Sequence, residues 1–272
     1  MSLSYSEGVE SRLKRWLIQF VERVSGASRL RRLYEQRHPH LEAGLGVWES
    51  TRLLLDLTLN YRGAAFEEIP ATGPLLVVAN HPYGLVDGVI VSHLLNHVRQ
   101  DFKVLVLDVV EQIEEMKPWS LPIDFSGTPE ARRINVKSRA DAIELLKSGG
   151  AVVMFPGGHV SATGANVFGR AVDGKWQVFA AKMIHAAKAN VLPVHVSGQN
   201  SWMFHLASRI GVWLRTGMLM RETCRLIGKT FDVTIGDPIA YDQLATIRDR
   251  EELVAMLRTK TYALAEPTES GS

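Results

Sequence analysis

The sequence predicts an α/β fold: a mainly parallel (mixed) central sheet covered by helices on both faces, with an N-terminal helical appendage. Short β-rich runs alternate with longer helical segments along most of the chain, a pattern typical of parallel sheets with crossover helices. The chain has 272 residues and 46% hydrophobic content, which is enough to bury one large core. We therefore predict a helical region over residues 1–68, an α/β domain over 69–266 and a flexible tail over 267–272.

The N-terminal region is predicted to form basic, amphipathic helices. Over residues 12–24, apolar side chains recur at helical spacing with Arg and Lys opposite them. A second helix is predicted around residues 29–37, and an apolar-rich segment at 46–59 precedes a turn at 69–74 marked by proline and glycine. The helix at 12–24 fits either a membrane interface with anionic headgroups or a face packed on the core.

The strands of the sheet are predicted from five β-rich runs, at residues 75–79, 102–107, 151–155, 191–196 and 231–236. Residues 140–148 and 177–189 have helical periodicity, which predicts two crossover helices. Gly149 and Gly150 end the first of them. A final helix is predicted over 249–264.

Composition and charge limit the partners that we expect. The net charge of +2 is nearly balanced, so the chain as a whole does not indicate nucleic-acid binding. The only cysteine, Cys224, excludes an intramolecular disulfide and fits a reducing cytosol. No apolar run approaches the roughly 20 residues of a membrane span, and residues 1–10 lack a secretory pattern. We expect a cytoplasmic protein whose membrane contact is peripheral.

The most informative motif is Asn80-His81-Pro82, which follows the predicted strand 75–79 and leads through Gly84 to Asp87. A histidine removes a proton from an alcohol when a carboxylate fixes its tautomer through the far ring nitrogen. This pattern predicts His81 as a general base oriented by Asp87. The alternative is structural: His81 satisfies a turn and Asp87 caps the next helix.

Two further strands end in polar loops. The run at 151–155 leads into Pro156-Gly157-Gly158-His159-Val160-Ser161, and the run at 191–196 leads into Ser197-Gly198-Gln199-Asn200-Ser201. Sites assemble at the carboxyl ends of parallel strands, and glycine N–H groups can approach an oxyanion or phosphate closely. The alternative for Gly157 and Gly158 is an ordinary tight turn.

With these three motifs in order, the chain from about Ile69 to Ile239 resembles the glycerolipid acyltransferase superfamily that includes lysophosphatidic acid acyltransferases. It is most similar to the branch called hemolysin-like or lyso-ornithine-lipid acyltransferases. Members of that branch carry Asn-His-Pro with Gly and Asp-Gly, a Phe-Pro-x-Gly-x-x-Ser loop, and Leu-Pro-Val before Gly-x-Asn-Ser. The matching segments here are Asn80–Gly88, Phe155–Ser161, Leu192–Val194 and Gly198–Ser201.

The resemblance implies an acyltransferase of membrane lipid biosynthesis that moves a fatty acyl group from an acyl thioester to the hydroxyl of a lyso-lipid. His81 and Asp87 are its implied catalytic pair, without a metal, a cofactor or a covalent acyl-enzyme. The donor is acyl-CoA or an acyl carrier protein thioester, and the enzyme is implied to work at the cytoplasmic face of the membrane. The implied substrate-binding residues are Asn80, Pro82, Gly84, Phe155, Pro156, Gly157, Gly158, His159, Ser161, Arg132 and Arg133.

The departures from the family pattern concern the acceptor headgroup. The usual Phe-Pro-Glu-Gly-Thr-Arg-Ser loop has Gly157 in place of Glu, His159 in place of Thr and Val160 in place of Arg. Phe125 stands where the family often places another arginine. Arg132 and Arg133 either compensate or are solvated helix charges. With these phosphate ligands changed, we expect a lyso-lipid with another headgroup, such as an amino-acid lipid, in preference to glycerol 3-phosphate.

The commonest family pattern also separates His and Asp by four residues, whereas five lie between His81 and Asp87, as in the hemolysin-like branch. The turn must therefore be reshaped for the pair to meet. Two other features have structural explanations beside functional ones. The apolar segment 202–220 either lines an acyl-chain channel or contacts lipid, or it packs in the core. His93 and His97 have a metal-ligand spacing, but we predict solvated helix positions.

Two alternative functions remain open. A serine hydrolase built on Ser161 or Ser197 is disfavoured because the sequence lacks Gly-x-Ser-x-Gly on a strand-to-helix turn. A catalytically silent lipid-binding protein of the same fold is favoured by the altered loop after Phe155. The intact His81 and Asp87 argue against it.

Overall fold

Seven strands form one sheet in the computed structural model, which describes residues 26–36 and 44–265. Their order across the sheet is β1-β9-β8-β2-β5-β3-β4, and a two-stranded hairpin, β6-β7, lies apart. The strands are β1 Thr58–Gly63, β2 Leu75–Ala79, β3 Phe102–Leu107, β4 Ser120–Ile123, β5 Ala151–Met154, β6 Ala162–Thr163, β7 Ala171–Val172, β8 Asn190–Val196 and β9 Thr230–Ile235. Within the sheet, only the β8-β9 pair is antiparallel.

The helices alternate with these strands. They are α1 Ala27–Glu35, α2 Val47–Leu54, α3 Leu85–Asn96, α4 Pro129–Lys147, α5 Phe179–Ala187, α6 Trp202–Ile210, α7 Val212–Leu226, α8 Tyr241–Leu244 and α9 Arg250–Ala263. Three short 3-10 turns lie at Phe66–Glu68, Asp108–Gln112 and Glu114–Trp119. Among the described helices, none combines the length and the apolar character that crossing a bilayer requires.

Strand β2 shows why the centre of the sheet forms where it does. All five of its residues are buried, as expected for a parallel strand covered on both faces. Leu75, Val77 and Ala79 face one core, and Leu76 and Val78 face the other. Helices α2 and α3 pack in the first core, whereas α4, α5 and α9 pack in the second. The predicted fold class, a mixed and mainly parallel sheet with helices on both faces, is confirmed.

The first and fourth strands were absent from the sequence prediction. Residues 58–63 fall in the predicted helical region, but they form an edge strand in register with Thr230–Ile235 of β9. Strand β1 is largely exposed, so it has no apolar pattern to mark it. The helical assignment of these residues is therefore wrong, while a domain boundary at residue 69 stays a prediction. Strand β4, at the other edge, contains Pro122, which edge positions tolerate.

Three other expectations concern the two ends of the chain and His93. The predicted amphipathic helix at 12–24 and the tail at 267–272 lie outside the described residues. His93 is not solvated as we predicted: it is buried in α3, with Nε2 2.8 Å from Glu49 Oε2 and Nδ1 2.8 Å from the Tyr61 hydroxyl. Spacing along one helix did not show that β1 and α2 would cover this side chain.

Candidate active site

Three loops meet at the carboxyl ends of the central strands, because β2 lies between β5 and β8 and is parallel to both. The loop after β2 carries His81, the loop after β5 carries Gly157 and Ser161, and the loop after β8 begins at Ser197. Hydrogen bonds join the loops directly. The Ser161 N–H donates to the His81 carbonyl at 2.7 Å, and the Tyr83 hydroxyl donates to the Ser197 carbonyl at 2.9 Å.

His81 and Asp87 are in contact at these strand ends. His81 Nδ1 lies 2.9 Å from Asp87 Oδ2, although the ring N–H is not aligned as in a regular hydrogen bond. The His81 side chain keeps 18% of its surface exposed, whereas Nδ1 and the whole Asp87 side chain are buried. The accessible part of the ring therefore lies away from the carboxylate. This arrangement suits a neutral imidazole that uses Nε2 as a base.

Asp87 also has the structural role that the sequence left open. It is the third residue of α3, and its Oδ2 accepts the N–H groups of Tyr83 at 2.8 Å and Gly84 at 2.9 Å. Such a carboxylate satisfies N–H groups that the first turn of a helix leaves unpaired. Burial raises the pKa of Asp87, while His81 and these two N–H groups act to lower it. The Asp87 side chain therefore both caps α3 and contacts His81.

Two contacts hold His81 in place, one on the face of its ring and one at its backbone. Phe155 stacks on it with ring centroids 4.3 Å apart, and the His81 N–H donates to Asp173 Oδ1 at 3.2 Å. Asp173 is buried, accepts the Ser161 hydroxyl at 2.5 Å, and accepts Trp176 Nε1 at 2.9 Å. Asp173 was not among the site residues predicted from the sequence. The signal that pointed to it is its isolation as the single acidic residue between His159 and Arg221.

The residues around His81 in its motif shape the loop. Buried Asn80 joins β2 to β8, because its side chain donates to the Val196 carbonyl at 2.8 Å and accepts the Val196 N–H at 2.7 Å. Pro82 is buried. Gly84 has a φ of 87°, and a Cβ there would meet Leu219 at 3.0 Å, so glycine is required. Their contacts are structural, and substrate binding by Asn80, Pro82 and Gly84 stays a prediction.

The two glycines of the second loop differ in their environment. The Gly158 N–H closes a turn by donating to the Phe155 carbonyl at 3.0 Å, so it is already used and does not fit our expectation of a free oxyanion donor. A Cβ at Gly157 would lie 3.0 Å from Asp173 Cγ. The carboxylate of Asp173 therefore fills the space beside the position where the family motif has a glutamate. Pro156, between Phe155 and Gly157, is buried and its carbonyl accepts the Gln177 N–H at 2.9 Å.

The altered positions of this loop lie close to an aromatic ring and a cation. His159 packs against Phe125 with ring centroids 5.1 Å apart, and burial together with nearby Arg215 lowers the pKa of His159. Arg215, on α7, donates to the carbonyl of Val160 at 2.7 Å. A guanidinium from another helix thus reaches the loop position that lacks the family arginine. The sequence alone had not connected Arg215 with this loop.

Arg132 and Arg133 are not drawn into the site by any observed bond. Both are exposed on α4, where Arg133 pairs with Glu130 at 3.2 Å. Within the ranges that the structure covers, neither forms a hydrogen bond or an ion pair with the loops after β2 and β5. Their predicted part in substrate binding stays a prediction.

Comparison with known proteins decides the family. The family model described as Acyltransferase matches residues 49–271. The chain belongs to this acyltransferase family. A lyso-glycine lipid O-acyltransferase of Bacteroides thetaiotaomicron is 30% identical over 210 residues, 73% of this chain and 72% of that protein. One of Phocaeicola vulgatus is 26% identical over 235 residues, 82% of this chain and 79% of that protein.

A solved structure supports the fold of this acyltransferase. The crystal structure of PlsC, the 1-acyl-sn-glycerophosphate (LPA) acyltransferase of Thermotoga maritima, matches with a TM-score of 0.50 at 16% identity. The match covers 98% of this chain and 87% of that one. The family model and the two relatives confirm the resemblance drawn from the three motifs at the level of the superfamily, and the chain is an acyltransferase.

The contacts of Ser161 and Ser197 disfavour a serine hydrolase. The Ser161 hydroxyl is buried and donates to Asp173, and the direct hydrogen bond between Ser161 and His81 joins their backbones. Ser197 contributes its carbonyl to Tyr83. A nucleophilic serine needs its hydroxyl within hydrogen-bond reach of the base, and for Ser161 that hydroxyl is directed to a carboxylate.

Proposed function

We propose that this acyltransferase moves a fatty acyl group from an acyl thioester to the hydroxyl of a lyso-lipid, with His81 as general base and Asp87 as the residue that orients it. The observation that carries the proposal is the 2.9 Å contact between His81 Nδ1 and buried Asp87 Oδ2, at the edge where three strand-end loops meet. Phe155, stacked on the imidazole, restricts its rotation. A fixed ring leaves Nε2 directed to the acceptor.

The proposed reaction has two proton transfers around one displacement. His81 Nε2 takes the proton of the acceptor hydroxyl while the oxygen attacks the thioester carbonyl carbon. The tetrahedral adduct then collapses, the carbon–sulfur bond breaks, and the departing sulfur receives that proton from the imidazolium. Asp87 stabilises the imidazolium between the two transfers. The step requires no metal, prosthetic group or covalent acyl-enzyme, and the donor is acyl-CoA or an acyl carrier protein thioester.

We propose that the acceptor carries an amino-acid headgroup with a carboxylate. Three observations support this. The two bacterial relatives are named lyso-glycine lipid O-acyltransferases. The loop has Val160 where the superfamily has arginine. Arg215 brings a guanidinium to that same position, and no carboxylate pairs with it among the residues the structure describes. A guanidinium binds a carboxylate through two parallel hydrogen bonds.

The test is an acyl-transfer assay with purified full-length protein, an acyl-CoA or acyl carrier protein thioester, and a panel of lyso-lipids. Thiol release and the acylated product are measured together for lyso-glycine lipid, lyso-ornithine lipid and lysophosphatidic acid. We expect turnover to depend on the acceptor, to favour the amino-acid lipids, and to fall by about 10² to 10⁴ in His81→Ala. His97→Ala, at an exposed histidine beyond the end of α3, serves as the matched control.

Each contrary result has a distinct meaning. Thiol release that needs no acceptor and persists in His81→Ala would contradict the mechanism. Lipid binding without turnover would support a catalytically silent protein. Turnover of lysophosphatidic acid far above that of the amino-acid lipids would overturn the headgroup assignment while leaving the reaction intact.

A further inference from the structure

Helix α6 is apolar on both of its faces. Phe204 and Ala207 are buried in a small core with Val160, Met218 and Leu219. On the opposite side, the exposed apolar residues are Trp202, Met203, Leu206 and Ile210. At helical spacing these four fall within about 100° of one another. A helix in water normally presents polar residues on its outer face, so this side of α6 needs a partner.

The apolar surface continues onto the β6-β7 hairpin. Phe168, in the loop of the hairpin, is 73% exposed, and its ring lies 6.0 Å from that of Trp202. Gln199 fixes the hairpin by accepting the Ala171 N–H at 2.8 Å and donating to the Gly169 carbonyl at 3.1 Å. Arg209 of α6 donates to the Gly164 carbonyl. Helix and hairpin therefore form one surface, which we call the docking face: Phe168, Trp202, Met203, Leu206 and Ile210.

Arginines border the docking face, and the carboxylate of Glu222, which lies 4.0 Å from the Arg221 guanidinium, is buried. Arg170 and Arg209 are exposed beside this face, and Arg221 directs its guanidinium to the sulfur of Met203 at 3.4 Å. Between His159 and Arg221 the sequence contains six Lys and Arg residues and a single acidic one, Asp173, which is buried. Apolar side chains bordered by arginines match a bilayer surface that contains anionic lipids.

The docking face is connected to the candidate active site through short contacts. Ser161 and Asp173, which flank the hairpin in sequence, both hydrogen-bond to the backbone of His81. The buried side of α6 packs with Val160 and Leu219, the two side chains that a Cβ at Gly84 would meet. A bilayer bound at the docking face would therefore lie next to the loops that hold His81.

We infer that the docking face binds the surface of an anionic lipid bilayer, so that a lyso-lipid reaches the site from the membrane without crossing water. The outer side chains of α6 and Phe168 enter the interface, and Arg170, Arg209 and Arg221 meet the anionic headgroups. The binding itself does not depend on the proposed reaction. Only the route of the acceptor rests on the proposed function.

The test compares binding of the full-length protein to phosphatidylcholine vesicles with and without phosphatidylglycerol, by co-sedimentation. The double variant Phe168→Ser/Ile210→Ser should bind the mixed vesicles about tenfold or more weakly, because two large side chains no longer leave water. Val136→Ser is the matched control, since Val136 is an exposed apolar residue of α4, 69% accessible. Arg170→Gln should reduce the preference for phosphatidylglycerol.

Activity distinguishes this inference from the proposed function. With a short-chain acceptor dissolved as monomers, the double variant should turn over like wild type, which also shows that it folds. With the acceptor embedded in vesicles, its turnover should fall in parallel with binding. An inactive wild type would count against the proposed function and leave the binding result standing.

Two outcomes would overturn the inference. The first is a folded double variant that binds mixed vesicles as tightly as wild type. The second is a wild type that is dimeric in solution and a double variant that is monomeric with unchanged vesicle binding, since the docking face would then join two copies. Trp202→Ser/Leu206→Ser tests the same face if the first pair of substitutions lowers stability.

Discussion

Asp87 combines a structural and a proposed catalytic role at the scale of a single residue. Its Oδ2 caps the first turn of α3 through Tyr83 and Gly84 and also contacts His81 Nδ1. The two roles need different properties of the side chain. An oxygen acceptor is sufficient for the cap, whereas stabilising an imidazolium requires a negative charge. An amide at this position therefore separates them.

Asp87→Asn should lower the turnover number by about 10² or more while leaving the fold intact. Because burial raises the pKa of Asp87 above its ordinary value of 3.8, the charged carboxylate destabilises the native state at pH values above that. The amide removes this cost, so the variant's melting temperature at pH 7 should equal or exceed that of wild type, and the difference should shrink towards pH 4. Turnover and thermal unfolding are measured on the same samples.

Asp87→Ala is the companion variant, because it removes the cap as well as the charge. We expect it to lose activity and to be about 1 kcal/mol less stable than Asp87→Asn, which keeps an acceptor for the cap. If Asp87→Asn kept wild-type turnover, Asp87 would be a helix cap and nothing more.

At the scale of one element, strand β8 carries a buried histidine that makes stability depend on pH. His195 is 5% exposed, its Nδ1 has no hydrogen-bond partner among the residues that the structure describes, and its ring lies 5.8 Å from that of Tyr262. Burial, with a smaller effect of Arg170, lowers the pKa of His195 from 6.5 to about 4. His195 therefore stays neutral in the native protein at pH values at which it is protonated in the unfolded chain.

The sign of the effect follows from this difference. The stability associated with neutral His195 is complete above pH 6.5 and is lost as the pH falls towards about 4, by about 3 kcal/mol in all. In His195→Gln this part of the stability loss at low pH should disappear. Urea unfolding at pH 7 and pH 5 measures the difference, with His97→Gln as the control for removing an exposed histidine. Equal pH dependence in His195→Gln and wild type would contradict the assignment.

At the scale of the whole molecule, the sheet includes residues from the predicted N-terminal region. Strand β1 pairs along its full length with β9, and Trp48 and Leu57 are buried in the same core as β2 and α3. Burying these two side chains stabilises the fold by about 3 to 6 kcal/mol. That is comparable with the net stability of a typical domain, about 5 to 15 kcal/mol.

A chain that begins at residue 69 should therefore fail to fold cooperatively, because it exposes the edge of β9 and part of the core. A chain that begins at residue 44 retains α2 and β1 and should unfold in one transition, although it loses the contact of α1 with α7. Solubility, circular dichroism and urea unfolding compare the two. Cooperative unfolding of the shorter chain would support the boundary predicted at residue 69.

The sequence by itself determined the features that neighbouring residues define. The apolar runs of β2, β5 and β8 marked the centre of the sheet, and their parallel order placed the loops at His81, Gly157 and Ser197 on one edge. His81 and Asp87 are six positions apart, so one turn brings them together. The three ordered motifs were sufficient to indicate the acyltransferase superfamily.

The tertiary structure alone decided the contacts between distant parts of the chain. Asp173 binds the His81 backbone across 92 positions, and Arg215 reaches Val160 across 55. Strand β1 meets β9 across 172. Local patterns do not show which residues form such pairs: the isolation of Asp173 in the sequence marks it as unusual but does not name its partner. Only the folded structure therefore shows what positions His81, which cation lies beside its loop, and where the docking face is.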